Sequence, residues 1–296
     1  MKIIITGKDS QIGNKIEFWL RNSDKSKDYQ VEQLDVITDQ WKTFDFTGVD
    51  VVIHVAAIVH RPDCTDWKLY ERVNVQLPVD IANKAKQSGV KQFVFMSSMA
   101  IFGIGKKLSQ NIIDDQTIPM PLTMYGKSKF LAEKELDKLN DNYFHVTIVR
   151  PPNVYGGTRN DYIRKIGGFV KYLPIIPVAY TEVRQSMIYI DNLTELIRLL
   201  ITENRQGVFM PQDTEAINTV ELITTIKQAQ GQPVRYSKSL GYLVRLLSFI
   251  PLVEKLYGGV MYSERISNID GLNYNVLSYD KALSKYFALI KQESER

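Results

Sequence analysis

Tyr125 and Lys129 stand four positions apart in the stretch Y-G-K-S-K, a spacing that puts both side chains on one face of a helix, one turn from each other. A free phenol has a pKa of about 10, and a neighbouring ammonium favours the phenolate and lowers that value. Such a tyrosine can exchange a proton with a substrate hydroxyl or carbonyl. Upstream, the apolar run V-F-M ends in Ser97–Ser98. A hydroxyl at the carboxyl end of a strand can hold a reacting oxygen by a hydrogen bond. The serine pair, Tyr125 and Lys129 are therefore the candidate catalytic group.

A second chemistry-bearing turn lies at the start of the chain, where residues 6–13 read T-G-K-D-S-Q-I-G directly after an apolar run. Glycines at such a strand-to-helix turn let backbone N–H groups approach a pyrophosphate at the helix N-terminus. The turn of Gly7, Ser10, Gln11, Ile12 and Gly13 is read as that cradle. Ser10 stands where a middle glycine is usual, a small side chain whose hydroxyl can bond a phosphate oxygen. Asp35 ends the second apolar run, 22 residues beyond Gly13. A carboxylate there accepts both ribose hydroxyls and repels a 2′-phosphate, favouring NAD over NADP. Asp45 is a rival for that role, because the stretch from Trp41 to Phe46 is hard to assign.

The elements that must position these groups alternate along the first half. Apolar runs at Lys2–Thr6, up to Leu34–Asp35, at Asp50–Ala57, Gln92–Met96 and Tyr143–Val149 are separated by helical periodicity, at Gln11–Arg21, Tyr70–Gln87 and Lys127–Leu139. This predicts an α/β fold with a Rossmann-type doubly wound parallel sheet. Residues 1–150 are read as the dinucleotide-binding domain. Residues 151–296 are read mainly as a smaller C-terminal α/β substrate lobe, with some elements returning to the first domain. Within the lobe, Ser186–Ile190 reads as a strand before a helix at Asn192–Leu200. Asn218 and Glu221 form a capping-box pattern, and Ser278 can cap a last helix.

Composition narrows the function classes. Among 296 residues, 37 basic and 33 acidic side chains are scattered rather than striped, which gives no reason to expect a nucleic-acid partner. A lone cysteine, Cys64, excludes an intrachain disulfide and suits a reduced cytoplasmic setting. The three histidines show no metal-ligand spacing, so no metal is expected. The chain enters a strand at once, which predicts no leader. Tyr242–Tyr257 is the most membrane-like stretch, but Arg245, Pro251 and Glu254 interrupt it, so no integral span is expected. It reads first as a partly buried helix pair, and second as an interfacial patch docking on a membrane face or a partner enzyme.

The motifs T-G-x-x-x-x-I-G, H-V-A-A (His54–Ala57), Asn74-Val75, S-S-M-A-I-F-G, Y-G-K-S-K, R-P-P-N-V-Y-G (Arg150–Gly156) and S-M-I-Y-I-D-N-L occur in that order. Together they resemble the extended short-chain dehydrogenase/reductases, the NAD-dependent epimerase/dehydratase family, over nearly the whole chain. The resemblance implies catalytic roles for Ser98, Tyr125 and Lys129. It places Ala56, Ala57, Asn74, Pro152 and Val154 beside the cofactor, with Met99 and Asn153 toward the sugar. It implies a nucleotide-diphosphate sugar as substrate and pairing into a homodimer through the helices at 70–87 and 124–139. A basic residue usually precedes the S-M-I-Y-I type strand to bind the diphosphate; Gln185 holds that place, so the role moves to Arg184. His60, just beyond the third strand, is a further candidate for touching substrate.

Dehydratases of this family carry an acid pair just after the catalytic hydroxyl. Met99 and Ala100 stand there and transfer no proton, which argues against dehydration. The late region resembles bacterial capsule and O-antigen enzymes acting on UDP-linked N-acetylated sugars. The expected reaction is NAD(P)H-dependent reduction of a UDP-linked 4-keto-6-deoxy-N-acetylhexosamine. The alternative is a redox-neutral 4-epimerase. A non-catalytic NAD(P)-sensing or scaffold protein is the reading from a different class, and the presence of both Tyr125 and Lys129 argues against it.

Overall fold

The computed structural model describes residues 1–22, 29–59, 66–104, 108–157 and 161–294. Six strands build its main sheet: β1 (Lys2–Thr6), β2 (Gln30–Leu34), β3 (Val51–His54), β4 (Gln92–Met96), β5 (His145–Val149) and β6 (Gly207–Phe209). They lie in the order β6-β5-β4-β3-β1-β2, all parallel. The order reverses between β1 and β3, where a ligand crevice opens beyond the carboxyl ends of an open α/β sheet.

Both faces of the sheet are buried, and the alternation along each strand shows how. Ile3, Ile5, Val51, Ile53, Val94 and Met96 enter one core, while Ile4, Val52, Phe93 and Phe95 enter the other. The first core is covered by helices α1 (Gln11–Asn22) and α4 (Ile190–Thr202) through Ile16, Leu20, Leu193 and Leu196. Trp19 of α1 also donates to Glu195 of α4 at 2.9 Å. The second is covered by α2 (Leu77–Gln87) and α3 (Met124–Asp137) through Ile81, Ala85, Ala132 and Leu136.

Three features differ from the sequence expectations. The segment from Trp41 to Phe46 adds no strand: Asp39–Thr43 is a 3-10 turn that buries Trp41, so β2 is the sheet edge. The third apolar run leaves the ladder after His54, freeing Val55–Val59 as irregular chain over the crevice. The helix read from Tyr70 begins at Trp67 and passes through a π-helical stretch, Glu71–Gln76, before α2.

Beyond residue 150 the chain serves both parts of the molecule. α4 and β6 complete the sheet layer, while short ladders and helices form the lobe. Asn153–Tyr155 pairs in parallel with Met187–Tyr189, and Arg184–Gln185 antiparallel with Ile217–Asn218. The capping box at Asn218 is present, with Glu221 N–H donating to Asn218 Oδ1 at 2.9 Å and Asn218 N–H returning to Glu221 at 3.3 Å. Lobe residues Tyr189, Leu222, Ile226 and Tyr286 share one continuous core with Ile3 and Ile5. No helix among the described residues is long and apolar enough to cross a membrane.

Candidate active site

The catalytic helix begins at a built cap. Thr123 Oγ1 accepts from Gly126 N–H at 3.0 Å, which fixes the first turn of α3 and the residue between them but one, Tyr125. Gly126 then permits close approach to the turn that carries Ser98. A Cβ on it would lie 2.4 Å from the Ala100 carbonyl oxygen. Ser98 caps that turn, Met99–Phe102, accepting from Ala100 N–H at 3.1 Å. The two elements bring the Ser98 hydroxyl beside the Tyr125 phenol, close enough to pull its pKa down.

The two serines after β4 are thereby separated in role. Ser98 faces a cleft of about 350 Å³ lined also by Met99, Ala100, Leu122, Thr123, Pro152 and Asn153. Ser97 is buried and donates to Glu133. Burial pushes the Tyr125 phenol up, Ser98 pulls it back, and nearby Tyr70 adds to the rise. This corrects the expectation that the neighbouring ammonium lowers it. Lys129 is buried and spends its ammonium on the Met96 carbonyl at 2.8 Å, 4.6 Å above the centre of the Phe95 ring. Burial draws that ammonium down to about 7, partly opposed by Glu133.

Glu133 extends the face of α3 by one more turn beyond Lys129. Its carboxylate accepts from Arg150 Nε at 3.0 Å and from the same guanidinium at 2.7 Å, both side chains being largely buried. Neither Glu133 nor Arg150 was given a role from sequence, and Ser97 was noted there only as the neighbour of Ser98. The signal was available: Glu133 continues the four-residue spacing of Tyr125 and Lys129.

At the other side of the crevice, Gly7 has φ +101° and a Cβ there would sit 3.0 Å from the Ala56 nitrogen. The turn and the half-buried Ala56–Ala57 segment therefore press against each other through backbone, as a dinucleotide cradle requires. Ser10 Oγ accepts from Gly13 N–H at 2.9 Å, so the hydroxyl serves as the α1 cap while its own proton stays available to a phosphate oxygen. Gln11 is exposed at the head of α1, and Ile12 packs against the first core. Asp35 is half-buried at the end of β2 and accepts from Ile37 N–H at 2.8 Å. Asp45 is exposed and feels Lys2, at the opposite end of β1, which removes it as a rival for the ribose. These residues fit an NAD-type dinucleotide: the Gly7 cradle admits only backbone, and the Asp35 carboxylate lies beyond the strand end.

Asn74 does not reach into the crevice. It is fully buried; its oxygen accepts from Ile58 N–H at 2.8 Å, and its amide donates to Ile58 O at 2.9 Å and Ser128 Oγ at 3.0 Å. Ser128 in turn donates to the Tyr125 carbonyl at 2.8 Å. The expected cofactor contact thus gives way to a clamp joining the Ala56–Ile58 segment to the catalytic helix. Val154 is held in the ladder with Ile188 and packs on the core instead of lining the cleft. His54 is buried and bonds Thr6 Oγ1 at 2.8 Å, with Nε2 meeting no partner among the described residues. Burial drives its pKa to about 3.

Arg184 is corrected most sharply. Its guanidinium donates to the Ala216 carbonyl at 2.6 Å and pairs with Glu221 at 2.9 Å, partly in solvent. Gln185, one residue on, lines the cleft with Ser186 and Val260. Successive strand residues face opposite ways, so the diphosphate role does not fall on Arg184. His60 and Cys64 lie outside the described residues. Among the described residues no cluster of acidic, histidine and cysteine side chains could hold a metal ion.

Residues 4–210 match the model of the NAD dependent epimerase/dehydratase family. The chain is 30% identical over 219 residues to a UDP-glucose 4-epimerase of Vibrio cholerae, a match covering 72% of this chain and 66%, just under two thirds, of that protein. It is 26% identical over 296 aligned positions to the N-acetyl-α-D-glucosaminyl-diphospho-ditrans,octacis-undecaprenol 4-epimerase of Escherichia coli O157:H7, covering 93% of this chain and 83% of that one. In fold it is similar to a dTDP-4-dehydrorhamnose reductase from Clostridium acetobutylicum, with a TM-score of 0.73, 18% identity, and coverage of 98% of this chain and 100% of that one.

Proposed function

This chain belongs to the NAD dependent epimerase/dehydratase family, and we propose that it inverts C4 of a diphosphate-linked hexose or N-acetylhexosamine without net oxidation or reduction. The observation that carries the reading is the Ser98–Tyr125 hydroxyl pair at a cleft whose neighbouring positions, Met99 and Ala100, offer no acid. NAD, when bound, supplies a reversible hydride acceptor for the C4 hydrogen.

The chain's own residues handle the oxygen and its proton. Ser98 holds O4 by a hydrogen bond while Tyr125 takes the O4 proton, and later returns it. Burial alone opposes the phenolate, so a cation must accompany it. Lys129, one helical turn away, is that cation: a phenolate at Tyr125 favours the protonated ammonium, and the ammonium favours the phenolate. Glu133 supports the same protonation state from the other side, held in place by Arg150. With no acid beside Ser98 to expel a hydroxyl, the ketone stage returns to the alcohol. Asn153 is exposed at the cleft, which supports a role in bonding a sugar hydroxyl.

The Vibrio cholerae and Escherichia coli relatives described above are named as 4-epimerases, which supports inversion over the net reduction of a 4-keto-6-deoxy-N-acetylhexosamine expected from sequence. We propose too that the chain pairs into a homodimer through the helices at 70–87 and 124–139. The test is to incubate the purified protein with oxidised NAD and UDP-glucose, UDP-N-acetylglucosamine or a polyprenyl-diphosphate N-acetylglucosamine, without reductant, and follow the sugar by NMR. The expected result is the C4 epimer of one of them at a constant nicotinamide absorbance. Stoichiometric loss of NADH on a 4-keto sugar, with no epimer from any of the three, would overturn it in favour of a reductase.

A further inference from the structure

The helix pair Lys238–Leu246 and Pro251–Tyr257 carries its apolar residues on the wrong side for a globular surface. Its inward side is already filled. Gly241 presses so close to the lobe that a Cβ would lie 2.0 Å from the Val178 carbonyl oxygen, and Val244, Val253, Leu256 and Tyr257 pack on the core. The outward side carries Tyr242, Leu243, Leu246, Phe249 and Leu252. Four of these are more than half exposed, with Leu246 at 74% and Phe249 at 79%. Tyr242 and Leu246 stand one turn apart on the first helix, Phe249 follows in the turn that joins the pair, and Leu252 lies at the head of the second, so the exposed side chains are grouped in one short stretch and not scattered.

The charge around the patch points to what covers it. Between residues 235 and 257 the chain has Arg235, Lys238, Arg245 and Lys255 against Glu254, and Glu182 pairs with Arg245 at 3.3 Å, which leaves exposed Arg235 and Lys238 as the basic excess. Leucine and aromatic side chains rimmed by lysine and arginine are the composition of a helix lying in a membrane interface, apolar face down. A second protein surface needs no such excess, whereas an anionic bilayer attracts each exposed base. The helix pair also leads along the chain into the catalytic cleft. Tyr257 is followed at once by Gly258–Val260, and Val260 lines the cleft, its carbonyl accepting from Ser186 N–H at 3.0 Å.

We propose that this face docks on an anionic bilayer, so that the cleft receives a sugar carried on a membrane-anchored polyprenyl diphosphate. The docking stands on the surface itself, and the choice of substrate rests on the C4-inversion reading. The base-lined patch brings the enzyme to the carrier, and the diphosphate then lies at the height of the headgroups. A helix crossing the bilayer is not required, because the apolar side chains enter only the interfacial layer.

The test uses vesicles of phosphatidylglycerol and phosphatidylethanolamine, neutral phosphatidylcholine vesicles, and a variant carrying both Leu246→Ser and Phe249→Ser. These two side chains face solvent, so thermal unfolding of the variant serves as the folding control. The wild-type chain is expected to co-sediment with the anionic vesicles, more weakly with neutral ones, and the double variant to lose at least about tenfold in affinity. On polyprenyl-diphosphate N-acetylglucosamine held in anionic vesicles, the variant turns over at least about tenfold more slowly. Wild-type protein remaining in the supernatant with anionic vesicles overturns the proposal. So does a wild-type dimer that the double substitution converts to monomer without vesicle binding, which would make a second copy the occupant. Vesicle binding without inversion of any sugar overturns the C4 reading and leaves the docking in place.

Discussion

The two ion pairs Arg150–Glu133 and Arg184–Glu221 have similar lengths, 2.7 and 2.9 Å, and opposite surroundings. The first lies beneath the catalytic helix with both side chains nearly sealed from water, and its carboxylate also receives Ser97. The second lies on the lobe, with both partners over 40% exposed. The difference describes the molecule: its cofactor half is a tight polar network set into two dry cores, while its lobe meets solvent with charges and apolar side chains alike.

The largest effect is expected at the centre of the tight network. Tyr125→Phe should lower turnover by about 10²–10⁴-fold while NAD binding, followed by fluorescence titration, stays near wild type. If the variant keeps most of its activity, the proton takes another route. Next comes Glu133→Ala, which leaves the Arg150 guanidinium buried without its partner and should cost about 3–5 kcal/mol in urea unfolding. A cost below about 1 kcal/mol would mean that water reaches the pair and that it behaves as a surface one.

Lys129 sharpens the contrast through pH. Its folded pKa, near 7, lies below the unfolded 10.5, so between those values the unfolded chain holds more protons and stability rises with pH. Below pH 7 both states are protonated and the buried charge opposes folding in full. Lys129→Met should therefore flatten the pH dependence of cofactor-free stability from pH 7 to 10, measured by denaturant titration, and abolish turnover. An unchanged slope would show that the ammonium is not desolvated. The smallest effect is expected on the lobe: Arg184→Ala should change stability by less than about 1 kcal/mol and leave KM for the sugar near its wild-type value. A large rise in KM would return the diphosphate to Arg184.

Much of the cofactor half was legible because its chemistry is tied to local spacing. Tyr125 and Lys129 sit one turn apart on any helix, and the turn at Gly7–Gly13 follows its strand directly. The alternation of strand and helix then forces the carboxyl ends of β1, β3 and β4 to one edge. Arg184 shows where such reading fails. In a two-residue strand nothing in the sequence says which neighbour faces the cleft, and a shift of one residue turns every side chain to the other face. Asn74 was expected beside the cofactor but looks inward, because its π-helical stretch has no signature in the sequence. Residues 242–257 read first as a partly buried helix pair; Gly241 and Val244 do face inward, but Tyr242, Leu246 and Phe249 do not. Strand β6, three residues long, is too short to show a period.

The most direct test of redox-neutral inversion is the fate of the hydrogen on C4. A diphosphate sugar deuterated at C4 should be converted in ordinary water to its epimer with the deuterium still at C4, because the same hydride leaves and returns to one carbon. Protium from solvent at C4 of the product, or inversion that requires added NADH in stoichiometric amount, would contradict the account.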